Sequence, residues 1–438
     1  MEEYIRILLE QIRCKKAHPA IEQELRAHIE DQTEANLLSG MPKDAAVASA
    51  VRDMGDPVET GTALDRIHRP QTDWRMLFVM ALVSLLNILV HTFIGHNYDY
   101  IKETVLHTLL GFAIMLVCYR LDYSFFVRYA KVLALGLYAV LYLGVFRLGD
   151  TVHGATIRIS LGGLHLSLIY LSFLCVPLYG ALLYHYRGTG YRSICKLLGW
   201  MLFPVWISMN IPCVSHAMLL FFMMALLLSL ATRQGWFRID HRKFLTAFWS
   251  VILLFPALWI VCGVMFHFFA DYQIVRIQAF FSRKDSGYNY VAGLLKEYLS
   301  GSRLIGNSGQ EIAGYLPEYN SSYILTCLSA YYGIAAALLI CCLVLFIGSR
   351  IFHISLHQKN VCGRMIGCGC GLVFLCNTAV NILENLGLLP LTQTFLPFFS
   401  RGGSGILISY ILTGIFLSIY RYQNIPQNIV SRQKQRPD

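Results

Sequence analysis

Ionisable side chains are scarce in this chain, so the places where they gather are informative. Glu318 follows Leu316-Pro317 and stands four residues before Ser322, with Glu311 upstream and Asp271 at the start of the same polar stretch. A carboxylate there can take a proton from an attacking hydroxyl, work worth about 10²–10⁴ in rate. Serine cannot do so at neutral pH. Arg276, Arg283, Lys284 and Arg303 punctuate the same stretch. Guanidinium and ammonium groups suit phosphate oxygens, and equally suit lipid headgroups. Glu318 also admits a plainer role, as the ion-pair partner of Arg276 or Arg401. Glu384 closes an apolar run in Asn381-Ile382-Leu383-Glu384-Asn385, and an acid at membrane depth points to function. Cys362, Cys368 and Cys370 approach metal-ligand spacing, but no nearby histidine completes a set of four, so no metal site is expected from them.

The elements that position these groups must lie in a membrane. The chain has 438 residues, 56% hydrophobic and 14% charged, and soluble domains carry about 25% charged residues. From Trp74 onward ten apolar stretches occur, near 76–95, 104–119, 130–147, 166–185, 197–212, 214–231, 245–268, 322–348, 363–383 and 404–420. The expected fold is an all-α polytopic membrane protein of about ten transmembrane helices. Lys and Arg alternate between its connections: Arg120, Arg128 and Lys131; Arg187, Arg192 and Lys196; Arg233, Arg238, Arg242 and Lys243; Arg350, Lys359 and Arg364; then Arg421. Those connections should be cytoplasmic, with both termini inside and the 149–165, 269–321 and 384–403 segments outside. The net charge of +10 thus belongs to topology and not to nucleic acid. Cysteines mostly lie in apolar runs, without the spacing of a disulfide framework. Gly387-Leu388-Leu389-Pro390 and Leu396-Pro397, then Gly402-Gly403, interrupt helical hydrogen bonding at a membrane border. Such backbone must be buried in protein or face a watery cavity, so it lines a site.

Residues 1–70 read differently, as a small cytoplasmic three-helix domain ahead of the membrane domain at 71–425, with 426–438 a basic tail. Ile5, Leu8, Leu9 and Ile12, then Ile21, Leu25 and Ile29, then Ala46, Ala50 and Val51 recur at helical spacing. Met1-Glu2-Glu3 is acidic where a cleavable signal would be basic. His28 and Glu30 fit a solvated helix face. The strings Glu24-Leu25-Arg26-Ala27-His28-Ile29-Glu30-Asp31 and Met54-Gly55-Asp56-Pro57 resemble the prefix domain found ahead of bacterial permeases, an interaction or regulatory module.

In order and spacing, Arg276 in its amphipathic segment, Gly287-Tyr288-Asn289, Gly306-Asn307-Ser308, Leu316-Pro317-Glu318 and Ser400-Arg401-Gly402-Gly403-Ser404 resemble the signature of the SEDS proteins, the FtsW/RodA/SpoVE family of shape, elongation, division and sporulation. The resemblance covers most of 140–420. It implies ten helices, a bacterial plasma-membrane location, and polymerisation of glycan from lipid II. It further implies a single-span penicillin-binding transpeptidase as partner and Mg²⁺ or Mn²⁺ as the candidate cation. Arg276, Arg303, Asn307, Ser400, Arg401, Gly402, Gly403 and Ser404 then become substrate-binding positions. The family's acids depart. Ser322 stands where its catalytic aspartate would be, Tyr170 replaces the glutamate of Gln-Pro-Ser-Glu, and Ile211-Pro212-Cys213 replaces Gln-Pro-Asp. Arg401 takes the place of a tyrosine. Two functions stay open: a lipid II polymerase whose base is Glu318, or a catalytically silent scaffold of a cell-wall complex. Lipid transport ranks behind both, since paired discontinuous segments in matching halves are absent.

Overall fold

The computed structural model describes residues 1–94, 98–152, 155–161, 164–211, 213–265, 290–389 and 394–425. Arg276, Arg283, Lys284, Asp271, Gly287-Tyr288-Asn289, Pro212, Pro390 and the 426–438 tail therefore lie outside the described residues.

The N-terminal unit has four helices, where three were expected: α1 (Glu2–Glu10), α2 (His18–Leu38), α3 (Lys43–Asp53) and α4 (Pro57–His68). Asp56 starts the fourth by accepting from the Val58 amide at 2.7 Å, with Pro57 pre-set at the first helical position. Its packed face escapes hydropathy because its buried residues are Gly61 and Asp65, with Leu64 only partly buried against the core. A Cβ on Gly61 would lie 2.7 Å from the Leu8 carbonyl, so α4 crosses α1 at backbone contact. Asp65 accepts from the Arg13 amide at 2.9 Å. Ile5, Leu8, Ile21, Leu25 and Ile29 form the apolar centre, and His28 and Glu30 are exposed.

The membrane body continues with α5 (Trp74–Ile94), α6 (Tyr98–Arg120), α7 (Ser124–Arg128), α8 (Ala130–Leu143) and a π-helical turn at Gly144–Leu148. Then come β1 (Asp150–Val152), β2 (Ala155–Leu161) and β3 (Leu164–Ser167), a small antiparallel sheet that an all-α reading did not anticipate. Next are α9 (Leu168–Ser172), α10 (Cys175–His185), α11 (Tyr191–Met209), α12 (Val214–Arg233), α13 (His241–Met265) and α14 (Tyr290–Gly301). The chain closes with α15 (Ile324–Tyr332), α16 (Ile334–Leu356), α17 (Val361–Asn385) and α18 (Gly403–Arg421). Among the described residues, eight helices are long and apolar enough to cross a membrane. α11 and α13 occupy the fifth and seventh expected stretches without joining that set.

Two glycine features shape the body. The eighth stretch breaks into α15 and α16 at Gly333, whose φ is +99° and whose Cβ would meet the Leu304 carbonyl at 2.6 Å. Only glycine suits both conditions. The glycines of α17 admit close neighbours: Gly367 faces Ser355, Gly369 faces Pro177 and Gly371 faces Phe352. They serve packing within the bundle. α18 is buried along most of its length and packs on α6, where Gly414 sits beside Met115 and Cys118. α18 ends at the N-terminal unit: the Gln71 amide donates to the Arg421 carbonyl at 3.0 Å, and Lys16 pairs with Asp122 at 2.8 Å.

Candidate functional site

At the opposite end of α18 two irregular segments meet. One is 318–323, entering α15; the other is 394–402, entering α18. The Arg401 amide donates to the Asn320 carbonyl at 2.7 Å, and Ser400 Oγ donates to the Ser321 carbonyl at 2.8 Å while accepting from the Leu396 amide at 2.7 Å. Each segment carries a non-glycine residue in the left-handed region, Glu318 at φ 52° and Phe398 at φ 68°. Such backbone costs about 1–3 kcal/mol and persists only where its surroundings enforce it. The Phe398 ring is enclosed, stacked on Phe374 at 5.5 Å and edge-on to Tyr410 at 5.3 Å. The Glu318 carbonyl accepts from the Ser321 and Tyr323 amides, a tight turn that brings its side chain back over Ser322.

Ser322 Oγ donates to Glu318 Oε2 at 2.6 Å. Ser322 is fully buried, whereas Glu318 is exposed, so the carboxylate spans from solvent to the serine. Beneath it, Asn381 and Asn385 of α17 donate to the Ser322 carbonyl at 2.8 and 3.0 Å. Asn385 Oδ1 accepts from both the amide and the hydroxyl of Thr326. Glu384, 1% exposed, accepts from Thr394 Oγ1 at 2.7 Å. Tyr170 and Cys213 each lie within electrostatic range of both Glu318 and Glu384. Of the three positions that lost acids by resemblance, Ser322 thus bonds Glu318, and the other two lie within electrostatic range of it.

The Arg401 guanidinium lies over the Tyr100 ring at 4.3 Å and pairs with Glu103 at 3.2 Å. Tyr100 OH and the Phe399 carbonyl both contact the buried His91 ring, at 2.7 and 2.8 Å. Gly402 has φ +135°, and a Cβ on Gly403 would meet the His107 ring at 2.6 Å. Ser404 Oγ donates to the His165 carbonyl and accepts from the Ser167 amide, tying α18 to β3. His216 contacts Ser172 at 2.7 Å inside the bundle. Glu318, Ser322, Ser400 and Arg401 are thus brought together. Arg303 and Asn307 lie on a separate strap: the Arg303 carbonyl accepts from the Ile334 amide, and Asn307 Oδ1 accepts from the Gly309 amide. Glu311 gives its carbonyl to Tyr298 OH. Asn381, Asn385, Thr394, Tyr100 and Glu103 were not singled out from sequence as site residues, although two asparagines four apart in an apolar run are a legible signal.

Among the described residues no three His, Cys, Asp or Glu side chains gather to hold a metal ion.

A helical bundle with eight candidate spans among the described residues, an interrupted, hydrogen-bonded segment and an exposed carboxylate at one end defines a polytopic membrane protein. The family model of the FtsW/RodA/SpoVE cell cycle proteins matches residues 72–425, and the chain belongs to that family. The four-helix unit lies ahead of the match. The "Probable peptidoglycan glycosyltransferase FtsW" of Enterococcus hirae is 35% identical over 142 residues, 32% of this chain and 36% of that one. The protein of the same description from Trichlorobacter lovleyi is 24% identical over 371 residues, 78% of this chain and 91% of that one. The first three relatives are matched over 36%, 49% and 50% of their own length, about a third to a half. Among solved structures, a chain from "a peptidoglycan synthase complex" superposes with TM-score 0.66 at 19% identity, covering 80% of this chain and 99% of that one. The rod shape determining protein RodA of Thermus thermophilus gives TM-score 0.56 at 17% identity, over 80% and 97%. These share the fold.

Proposed function

We propose that the protein works in peptidoglycan assembly at the bacterial plasma membrane, binding lipid II at this site and extending glycan with Glu318 as general base. The observation that carries this is the 2.6 Å contact between Glu318 and Ser322. It brings a carboxylate to the position where the family resemblance expects an aspartate. A sugar hydroxyl held beside Glu318 gives its proton to the carboxylate as its oxygen attacks the anomeric carbon of the donor. The bond from that carbon to the pyrophosphate breaks, and the lipid pyrophosphate leaves. Arg401, half exposed and hinged on Tyr100, supplies a cation for phosphate oxygens. Arg276, Arg303, Asn307, Ser400, Gly402, Gly403 and Ser404 remain binding positions in this reading, most of them shaping backbone. The alternation of Lys and Arg supports cytoplasmic termini, with the site outside. A crosslinking partner with a single membrane span fits the exposed face of α16 at Leu338 and Cys342.

A second reading rests on Ser322, Tyr170 and Cys213: with acids gone from all three, the bundle is a silent lipid II platform. Purified protein in lipid, given lipid II with Mg²⁺ or Mn²⁺, separates the two. Polymer that disappears in Glu318→Ala supports the relocated base. Lipid II binding without polymer, with polymer appearing only in Ser322→Asp, supports the platform. The N-terminal unit, as a prefix-like domain, would carry a cytoplasmic signal to the far end of α18.

A further inference from the structure

His91 is fully buried on α5, and both of its ring nitrogens are engaged. Nε2 meets the Phe399 carbonyl at 2.8 Å, and Nδ1 meets the Tyr100 hydroxyl at 2.7 Å. A carbonyl only accepts, so Nε2 carries the proton, and Nδ1 of the neutral ring accepts from Tyr100. An imidazolium there would place a second buried cation within electrostatic range of Arg401. The run of hydrogen bonds therefore has one direction, from Tyr100 through His91 to the backbone of Phe399.

Both ends of that run lead to Arg401. At one end the Tyr100 ring lies under the guanidinium at 4.3 Å, a contact whose strength depends on where the ring sits. At the other end Phe399 precedes Arg401 by two residues, and the Arg401 amide donates to the Asn320 carbonyl at 2.7 Å. The ion pair of Arg401, with Glu103 at 3.2 Å, is to a carboxylate that is 59% exposed, and such pairs hold a side chain weakly. What keeps the guanidinium in one direction is thus the ring beneath it and the backbone behind it. Arg401 also stands where the resemblance expects a tyrosine, so this arrangement belongs to the chain's own departure from the pattern.

We infer that His91 is a positioning residue for Arg401: from inside the bundle it fixes both the aromatic platform under the guanidinium and the backbone that carries it. His91 itself touches no ligand. The inference rests on the proposed function for the phosphate that Arg401 meets. The geometry it asserts, a guanidinium held from below by a buried imidazole, can be read without any substrate.

The test uses full-length protein in phosphatidylcholine nanodiscs. Its first readout is the rate at which phenylglyoxal modifies Arg401, followed by mass spectrometry, with the exposed Arg192 of α11 as internal reference. His91→Leu removes both bonds and should speed the modification about fivefold, the effect of one buried hydrogen bond. Tyr100→Phe keeps the ring, cuts its tie to His91 and should speed it about twofold; it carries the test if His91→Leu does not fold. His91→Gln can donate to Phe399 and accept from Tyr100, and should restore the original rate. The second readout is affinity for lipid II. Arg401→Gln should weaken it about tenfold and His91→Leu about fivefold, while the double variant should bind no worse than Arg401→Gln alone. Arg401 modified at the original rate in both His91→Leu and Tyr100→Phe overturns the inference. A fivefold loss of affinity that persists in the Arg401→Gln background overturns it too, by making His91 a general prop of the segment. Absence of lipid II binding by the unmodified protein sinks the proposed function alone, and the modification rates then decide the role of His91 by themselves.

Discussion

If Glu318 is the base, Ser322 acts through it, and that dependence has a size. The serine hydroxyl is fully buried and its contact to the carboxylate is 2.6 Å. A hydrogen bond to a charged group is worth about 1.5–3 kcal/mol, and its loss leaves the carboxylate free to swing on an exposed turn. Converted at about 1.4 kcal/mol per decade, Ser322→Ala should lower kcat by about ten- to a hundredfold. KM for lipid II should hold, because the serine touches no part of the substrate in this reading. Glu318→Ala should cost about 10²–10⁴. The cycle is completed by the double variant, assayed as glycan formed per protein in lipid at fixed pH. With Glu318 gone, Ser322→Ala should cost nothing further, since the group it positioned is absent. The same ten- to hundredfold loss in both backgrounds would refute the reasoning and make the serine an independent contributor.

Three other expectations are accessible without turnover. Glu318 adopts φ 52°, so Glu318→Gly should be more stable than Glu318→Ala by about 1 kcal/mol, since both lose the carboxylate and only one keeps the left-handed penalty; equal thermal midpoints in detergent would remove strain from the account. Gly333→Ala combines φ +99° with a 2.6 Å approach to the Leu304 carbonyl, and should lower stability by about 1–3 kcal/mol, read from the same melts. At the N-terminal unit, burial raises the Asp122 carboxyl but Lys16 and Ser124 outweigh it, so the group is held below its ordinary value. Burial likewise opposes the Lys16 ammonium, and Asp122 outweighs it, so that group is held above its own. The pair's contribution is therefore full between the two ordinary values. It is lost as pH falls through the lowered carboxyl and again as pH rises through the raised ammonium. Protection factors for the amides of α1 and the 11–17 turn, taken relative to the intrinsic exchange rate at each pH, should fall below about pH 4, and Lys16→Gln should flatten that response; protection factors independent of pH in both proteins would refute it.

What sequence made legible followed from periodicity and from residues whose backbone demands are singular. The apolar stretches mark the spans because every backbone group in a bilayer must be satisfied internally. The Pro-Gly segment announces itself because those residues cannot continue a helix. The fourth N-terminal helix was hidden because its buried residues are Gly61 and Asp65, which score as surface, and Leu64 alone adds an apolar side chain to that face. The break at Gly333 was hidden inside a continuous apolar run, since hydropathy is indifferent to φ. The clamp of Asn381 and Asn385 on the Ser322 carbonyl links residues about sixty positions apart, which spacing alone cannot pair. The sheet at 150–167 was passed over as a connection because its strands are short.

Ser322, Tyr170 and Cys213 belong to three separate parts of the chain, yet Ser322 bonds Glu318, and Tyr170 and Cys213 lie within electrostatic range of both Glu318 and Glu384. Their departures from the family pattern are therefore one local change. Tyr170 packs its ring on Phe395 at 4.8 Å, and Phe173 joins the same ring at 5.8 Å. Where the resemblance expects a charged group, this chain has an aromatic wall. An ionised carboxylate in such surroundings would be costly without a partner, so the wall disfavours further acids there. Glu384 is buried and engaged with Thr394, leaving Glu318 as the carboxylate of this pair that is open to solvent. Any proton-abstracting chemistry in this cluster must then rest on a single side chain whose position is set by a serine, two asparagines and a strained turn. In the proposed mechanism the loss of that one carboxylate should carry the whole cost of about 10²–10⁴, while the segment at 394–402 should keep its shape, because that shape is built from backbone and not from the acid.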